Sequence, residues 1–313
     1  MSTRVAILGT GRMGTALAQR LARAGIEPTL WNRTRARAEQ VGVGRVVASP
    51  ADAVRDAEVV ITSLTGPDAV RAAYGGPSGV LAAAHGQVFV EMSTSGPDLL
   101  AELDPQLAAT GSTLIDAPIL GAPTVVLRGE AAILVGGAPA DVERVQPVLE
   151  LLGEVRHVGG LGSGARLKLV ANSMLGAVMM AAAELQTAGE AAGLDPGDVF
   201  WVLARLAPSL EMRRSGLVDR RHEPTLFAVR DLRKDLDLAL DTFHRSAAQV
   251  PVTALVRELV DEAAADVADL DITAVITRYR PATATRAVRT WPCRLTGTPW
   301  RMDALSTSQE ASR

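Results

Sequence analysis

Lys168 and Asn172 stand four residues apart in the stretch GSGARLKLVANSM, so on a helix they share one face. Leu167, Leu169, Val170 and Ala171 surround the lysine, and residues 174–183 continue without a charge. An ammonium on so apolar a helix costs desolvation free energy unless something compensates or uses it. The plain reading is a lysine that snorkels its head to water. It gives way here because a nucleotide-binding segment precedes the helix. A lysine in such surroundings can donate and accept a proton, and an asparagine one turn along can orient a ligand without adding charge.

That preceding segment opens the chain. Residues 4–8, RVAIL, are a short β-prone run, and GTGRMG follows, with Gly9, Gly11 and Gly14 around Thr10, Arg12 and Met13. TALAQRLARAG then places Ala16, Leu17, Leu21 and Ala24 at helical spacing until Gly25 stops the helix. A strand, G-x-G-x-x-G and a helix are the context a dinucleotide fingerprint needs. Gly9 permits the tight turn, Gly11 lets the backbone approach a pyrophosphate, and Gly14 lets helix pack on strand. The anion rests on the helix N-terminus. The second strand, 28–31, ends in Asn32-Arg33-Thr34. An acid near this point holds the ribose 2′-hydroxyl of NAD, whereas an arginine accommodates a 2′-phosphate. Arg33 therefore predicts NADP(H), while Arg35 and Arg37 read as solvated helix charges.

Around these motifs strands and helices alternate. Residues 59–61, 88–90, 113–115, 132–135 and 155–158 read as strands, and Ser49-Pro50 and Gly96-Pro97 as helix starts. The alternation predicts an α/β chain whose N-terminal part is a doubly wound, largely parallel sheet of the Rossmann type. After Gly162 strand signals vanish and alanine- and leucine-rich helical stretches run to about residue 280. The expected organisation is a nucleotide-binding domain over 1–162, an all-α C-terminal domain for substrate and dimerisation over 163–280, and a flexible tail over 281–313, where Trp291 and Trp300 could dock. A helix over about 164–193 is too long for one small domain to cover, which predicts a homodimer or higher homo-oligomer.

With 313 residues, 48% of them hydrophobic, and a formal net charge of −3, the composition suits a small-molecule enzyme and gives no support for nucleic-acid or membrane binding. The lone Cys293 excludes an internal disulfide framework and fits a reducing cytoplasm. Four scattered histidines lack metal-ligand spacing, so no metal is expected. MSTRVAILGTGRMG is no signal peptide, and the uncharged run at 174–183, interrupted by Glu184 and Glu190, reads as a buried helix rather than a membrane span.

Four ordered motifs give the chain a resemblance to the β-hydroxyacid dehydrogenases, over about residues 4–280. GTGRMG with its trailing strand is similar to the family's cofactor motif, and EMSTSGP (91–97) to its D-x-S-T-x-x-P substrate segment. GSGARLKLVAN (162–172) is similar to G-x-G-x-x-x-K-x-x-x-N, and RKDLDLAL (233–240) to the late K-D-L segment. The resemblance implies that Lys168 is the proton donor and acceptor and that Asn172 bonds the substrate or Lys168. It implies that Ser93 binds the polar end of the substrate and that Thr94 and Lys234 lie against the cofactor. Leu64 and Thr65 would stand beside the adenosine and ribose, and Phe227 and Asp235 would line the substrate pocket.

The chain departs from the family at DAPILGAP (116–123), where members commonly read D-A-P-V-S-G-G. Leu120 replaces the serine and Ala122 the second glycine, which removes a hydroxyl and exposed backbone that would hold a small carboxylate. The expected activity is therefore NADP(H)-dependent interconversion of a carbonyl and an alcohol, on a substrate less polar or bulkier than glyoxylate. Two other readings stand beside it. An imine reductase shares the N-R-T motif but usually carries aspartate or tyrosine where Lys168 stands. A non-catalytic NADP-binding scaffold would be expected to lose that lysine.

Overall fold

The computed structural model describes residues 3–279; the expectations placed on the segment 281–313, with Trp291, Cys293 and Trp300, lie outside them. Nine strands form one sheet: β1 (Val5–Leu8), β2 (Thr29–Trp31), β3 (Arg45–Val46), β4 (Val59–Thr62), β5 (Val88–Glu91), β6 (Thr113–Asp116), β7 (Ile119–Leu120), β8 (Ala131–Gly136) and β9 (Gly153–Gly159). Their order is β3-β2-β1-β4-β5-β6-β8-β7, with β9 paired to β8. The first six are parallel, whereas β8 runs antiparallel to β6 and β7. The order reverses between β1 and β4, and in such sheets ligands bind at the carboxyl ends of the strands at that reversal.

Every residue of β1, β4 and β5 is buried, because helices cover both faces of the sheet. Val5 and Ile7 pack with Leu17 and Leu21 on one face; Ala6 and Leu8 pack with Phe89, Leu100 and Leu103 on the other. Each such leucine contributes about 1.5–3 kcal/mol by leaving water. The strands legible as apolar runs are all present. β3 and β7, two residues each, are too short to show a period in sequence.

The sheet ends where a 29-residue helix, Ser163–Ala191, begins. At about 1.5 Å per residue it spans roughly 43 Å. The helices Val229–Arg245 and Pro251–Val267 and a 3₁₀ segment, Ile272–Tyr279, gather around it. Met179, Met180, Leu232, Leu236, Val260 and Ile276 form their shared core. The long helix has the length and apolarity of a membrane span, yet it is the central element of this packed region. It is less covered than a buried helix: 44% of its most apolar window is buried, and Leu167, Val170, Met174 and Leu185 face outward.

Its start is tied to the sheet. Asp116, the last residue of β6, accepts the backbone N–H groups of Gly162 and Ala165, both at 2.6 Å. A carboxylate there satisfies donors that a helix N-terminus leaves open and complements its dipole. Gly164 allows the close approach, since a Cβ on it would lie 2.2 Å from the Leu134 carbonyl oxygen. Four residues on, Lys168 is placed over the carboxyl edge of the sheet.

Candidate active site

The turn after β1 has the geometry that the glycine spacing predicts. A Cβ on Gly9 would meet the Ser63 carbonyl oxygen at 2.2 Å, and one on Gly14 the Gly9 carbonyl oxygen at 1.9 Å. Around Gly11 nothing lies within 4 Å of such an atom, so the space over the helix N-terminus is open. The helix Arg12–Arg23 has no side-chain cap and no acid in its first turn, which leaves its N–H groups to an anion. Asn32 holds this turn in place: its Oδ1 accepts from Thr10 N at 3.1 Å and its Nδ2 donates to the Thr34 carbonyl oxygen at 2.9 Å. Arg33 is exposed and makes no hydrogen bond or ion pair among the described residues, whereas Arg35 is occupied by Glu39 at 2.8 Å. The residues present thus fit a nicotinamide dinucleotide.

Beside this turn a cavity of about 710 Å³ opens between the strand ends and the helices. Gly11, Arg12, Met13, Leu64, Thr65, Ser93, Thr94, Leu120, Lys168, Asn172, Phe227, Lys234 and Asp235 all line it. Gly9, Thr10, Gly14, Asn32, Arg33 and Thr34 do not; they form the turn and the end of β2. Lys168 does not snorkel: its Nζ donates to the Ile119 carbonyl oxygen at 2.7 Å. Burial pushes its ammonium below the ordinary lysine range, Asp235 pulls it back and Lys234 pushes it further down.

Asn172 has a partner within the protein. Its Nδ2 is given neither to Lys168 nor to open space but to Asp235 Oδ2, at 2.5 Å. Asp235 is 2% exposed and also accepts from Lys234 Nζ, so Lys234-Asp235 is no solvated surface pair. Burial raises the Asp235 carboxyl, against Lys234, Lys168 and Asn172, which favour its charged form. Lys234 reaches further, to the Thr94 carbonyl oxygen at 2.7 Å, linking the helix Val229–Arg245 to the loop after β5. In that loop Ser93 Oγ, at the cavity wall, accepts from Leu64 N at 2.8 Å.

Two acids next to this cluster carry more than the sequence disclosed. Glu91 and Asp116 end adjacent strands in register. Glu91 is 1% exposed, with Oε1 accepting from Ser93 N at 2.8 Å and Oε2 without a partner. Burial pushes its carboxyl up to about 8, against the Ser93 hydrogen bonds and helped by Asp116. Burial also raises Asp116, although the Gly162 and Ala165 N–H groups work the other way. The sequence signal was an acid closing an apolar run, VFVE and TLID. The Ile119 carbonyl that receives Lys168 has no side-chain signal at all.

Comparison with known proteins places the chain in a family. Residues 4–160 match the family profile described as the NAD binding domain of 6-phosphogluconate dehydrogenase, and 162–279 that described as NAD-binding of NADP-dependent 3-hydroxyisobutyrate dehydrogenase. The class is therefore that of NAD(P)-dependent dehydrogenases acting on hydroxy acids. The chain belongs to the β-hydroxyacid dehydrogenase family. It is 31% identical over 294 residues to 3-hydroxyisobutyrate dehydrogenase of Pseudomonas aeruginosa, covering 89% of this chain and 99% of that one. With the chloroplastic glyoxylate/succinic semialdehyde reductase 2 of Arabidopsis thaliana it shares 28% over 291 residues, 90% of this chain and 81% of the other. The solved structure of Mycobacterium tuberculosis 3-hydroxyisobutyrate dehydrogenase with L-serine is 28% identical, with a TM-score of 0.79 over 90% of this chain and 100% of that one.

Glu91 makes the site's stability depend on pH. Between its ordinary value of 4.5 and about 8, the folded protein holds a proton that the unfolded chain has released. Stability therefore falls as pH rises through that window. Glu91→Gln keeps an acceptor for Ser93 N and removes the titration. Its Tm should gain on the native protein's as pH is raised from about 5 to about 8, and the gap should stop widening above that. A gap that ignores pH would mean that Glu91 is ionised in the folded state.

Proposed function

We propose that the protein is an NADP(H)-dependent oxidoreductase that interconverts a carbonyl and an alcohol, with Lys168 as the general acid and base. The observation that carries this reading is the Lys168 ammonium, half-buried at the cavity wall with one N–H on Ile119 and a lowered affinity for its proton. The nicotinamide cofactor, when bound, supplies or takes up the hydride. Lys168 does the rest of the chemistry. In reduction it stabilises the negative charge developing on oxygen and donates a proton to it; in oxidation, its neutral amine accepts that proton. Asp235 limits how far the lysine's affinity for its proton falls, and Asn172 fixes Asp235. The Ser93 hydroxyl donates to a substrate oxygen. Gly11, Arg12 and Met13, at the open helix N-terminus, would hold the pyrophosphate, and Arg33 the 2′-phosphate.

The substrate is less polar or bulkier than glyoxylate. Leu120, Ala122, Met174, Leu175, Val178 and Phe227 make much of the cavity wall apolar, and the relatives' own names already span semialdehydes and hydroxyisobutyrate. We also assign the chain to a homodimer or larger homo-oligomer. Met174 is 65% exposed and Leu206 82%, and Val170, Leu185, Trp201 and Val202 join them in an apolar surface across the helical region.

Three measurements bear on this reading. Lys168→Ala should lower kcat on the best carbonyl substrate by about a hundredfold or more while NADPH still binds, and Lys168→Arg should not restore it, since guanidinium keeps its proton. Full turnover without Lys168 would shift the assignment towards reduction of an imine by another donor. NADPH should bind at least about tenfold tighter than NADH, and Arg33→Ala should erase that preference; equal dissociation constants in the native protein would remove the NADP(H) assignment. Sedimentation at micromolar concentration should give the mass of two or more chains, and a monomer would remove the oligomer.

A further inference from the structure

Among the described residues the buried acids are Glu91, Asp116, Asp235 and Asp271, and all but Glu91 have donors on both oxygens. Asp235 takes Lys234 and Asn172, and Asp116 takes the N–H groups of Gly162 and Ala165. Asp271 takes the buried Arg213, which lines the cavity, and the N–H groups of Leu226 at 3.0 Å, Phe227 at 3.1 Å and Thr273 at 3.2 Å. Glu91 has only Ser93 N on Oε1 and nothing on Oε2, and among the described residues no cation pairs with it. The proton chemistry at Lys168 does not use it.

What faces Glu91 does not favour a charge on it. Asp116 ends the next strand in register, so both carboxyl groups leave the same face of the sheet. On the other side Thr62 of β4 is its register partner, and Thr62 bonds to the hydroxyl of Tyr74, on the helix Pro67–Tyr74, at 3.0 Å. Burial first, and Glu91 second, push that phenol well above its ordinary range. The cation that reaches this pair, Arg166 on the long helix, acts on Asp116. An oxygen buried without a donor costs far less on a neutral carboxyl than on a carboxylate. Ser93, meanwhile, has one hydroxyl hydrogen and two claimants. Its Oγ is held at the cavity wall by Leu64 N. Its hydroxyl and its N–H both favour the charged form of Glu91, so a carboxylate there draws the hydrogen inward. The other claimant is a ligand oxygen in the cavity.

We propose that Glu91 is a positioning residue that decides where the Ser93 hydroxyl points. As a neutral acid it keeps the Ser93 N–H and leaves the hydroxyl hydrogen to an oxygen of the bound substrate. As a carboxylate it claims both, and the substrate loses a donor. Glu91 itself touches neither substrate nor cofactor; its one proton passes to water as the hydroxyl turns. This rests on the reading that Ser93 binds substrate. Substrate affinity then carries a pH dependence of its own, separate from the proton that Lys168 exchanges.

The test follows the full-length protein, saturated with NADPH, from pH about 6 to about 9.5, a range that brackets the ionisation. The amide shifts of Ser93 and Leu64 are read by NMR, and KM and kcat are measured with hexanal as the carbonyl probe. Glu91 gives up its proton at about 8, so both amides should titrate there, Leu64 because its bond to Ser93 Oγ strengthens as the hydroxyl turns. KM should rise about three- to tenfold across the same point, the scale of one hydrogen bond. In Glu91→Gln neither amide should titrate there and KM should stay low, while kcat keeps the shape of its dependence on pH. In Ser93→Ala, KM should be high and flat. That variant also removes a group that favours the charged form, so proton release from Glu91, read at the amide of position 93, should move up by at least about half a pH unit. If Glu91→Gln does not fold, the native titration and Ser93→Ala decide the matter. A Leu64 amide indifferent to pH in the native protein would overturn the proposal, as would a KM rise retained in Glu91→Gln or a release point unmoved in Ser93→Ala. Amides that titrate as described in a protein that reduces no carbonyl would sink the reductase reading and leave the Glu91–Ser93 arrangement standing.

Discussion

The Asp116 carboxylate, closing on the N–H groups of Gly162 and Ala165, is the contact on which the site depends. It fastens the end of β6 to the first turn of the long helix, and the glycine at 164 lets that turn sit against β8. Every later position on the helix follows from this anchor. Lys168 comes one turn on and finds the Ile119 carbonyl; Asn172 comes a second turn on and finds Asp235. An α-helix rises about 1.5 Å per residue with little slack, so a shift at the anchor would be passed whole to the lysine.

Charge is arranged around that lysine in a graded way. Lys168 bonds only to a neutral carbonyl, while Lys234, besides the Thr94 carbonyl, shares a hydrogen bond with Asp235. Asp235 therefore tempers Lys168 through space without taking its proton or its hydrogen bond. Burial lowers the lysine's affinity for its proton, and the nearby Asp235 charge works against that fall.

Much of this was legible in the sequence, for physical reasons. Gly9, Gly11 and Gly14 announce themselves because their spacing follows from steric limits that no other residue meets. Lys168 and Asn172 announce themselves because helical periodicity puts them on one face. Asn172 to Asp235 was not legible, since it joins residues 63 positions apart across two helices. Arg213 was hidden for another reason: among Glu211, Arg214 and Arg221 it resembles any surface charge, and only packing shows it to be buried. The two-residue strands β3 and β7 were below the length at which a period of two can be read.

Asp271 has a consequence for how such an enzyme diversifies. Its side chain gathers the guanidinium of Arg213 and the backbone of residues 226 and 227, and neighbouring bonds from Asp271 N to the His222 carbonyl and from Ile272 N to the Phe227 carbonyl fasten the same segment to the helical region. The lysine end hangs instead from the sheet, through Asp116 and Ile119. Substitutions between residues 206 and 227 can therefore change the lining of the cavity without touching the Asp116 and Ile119 contacts that hold Lys168.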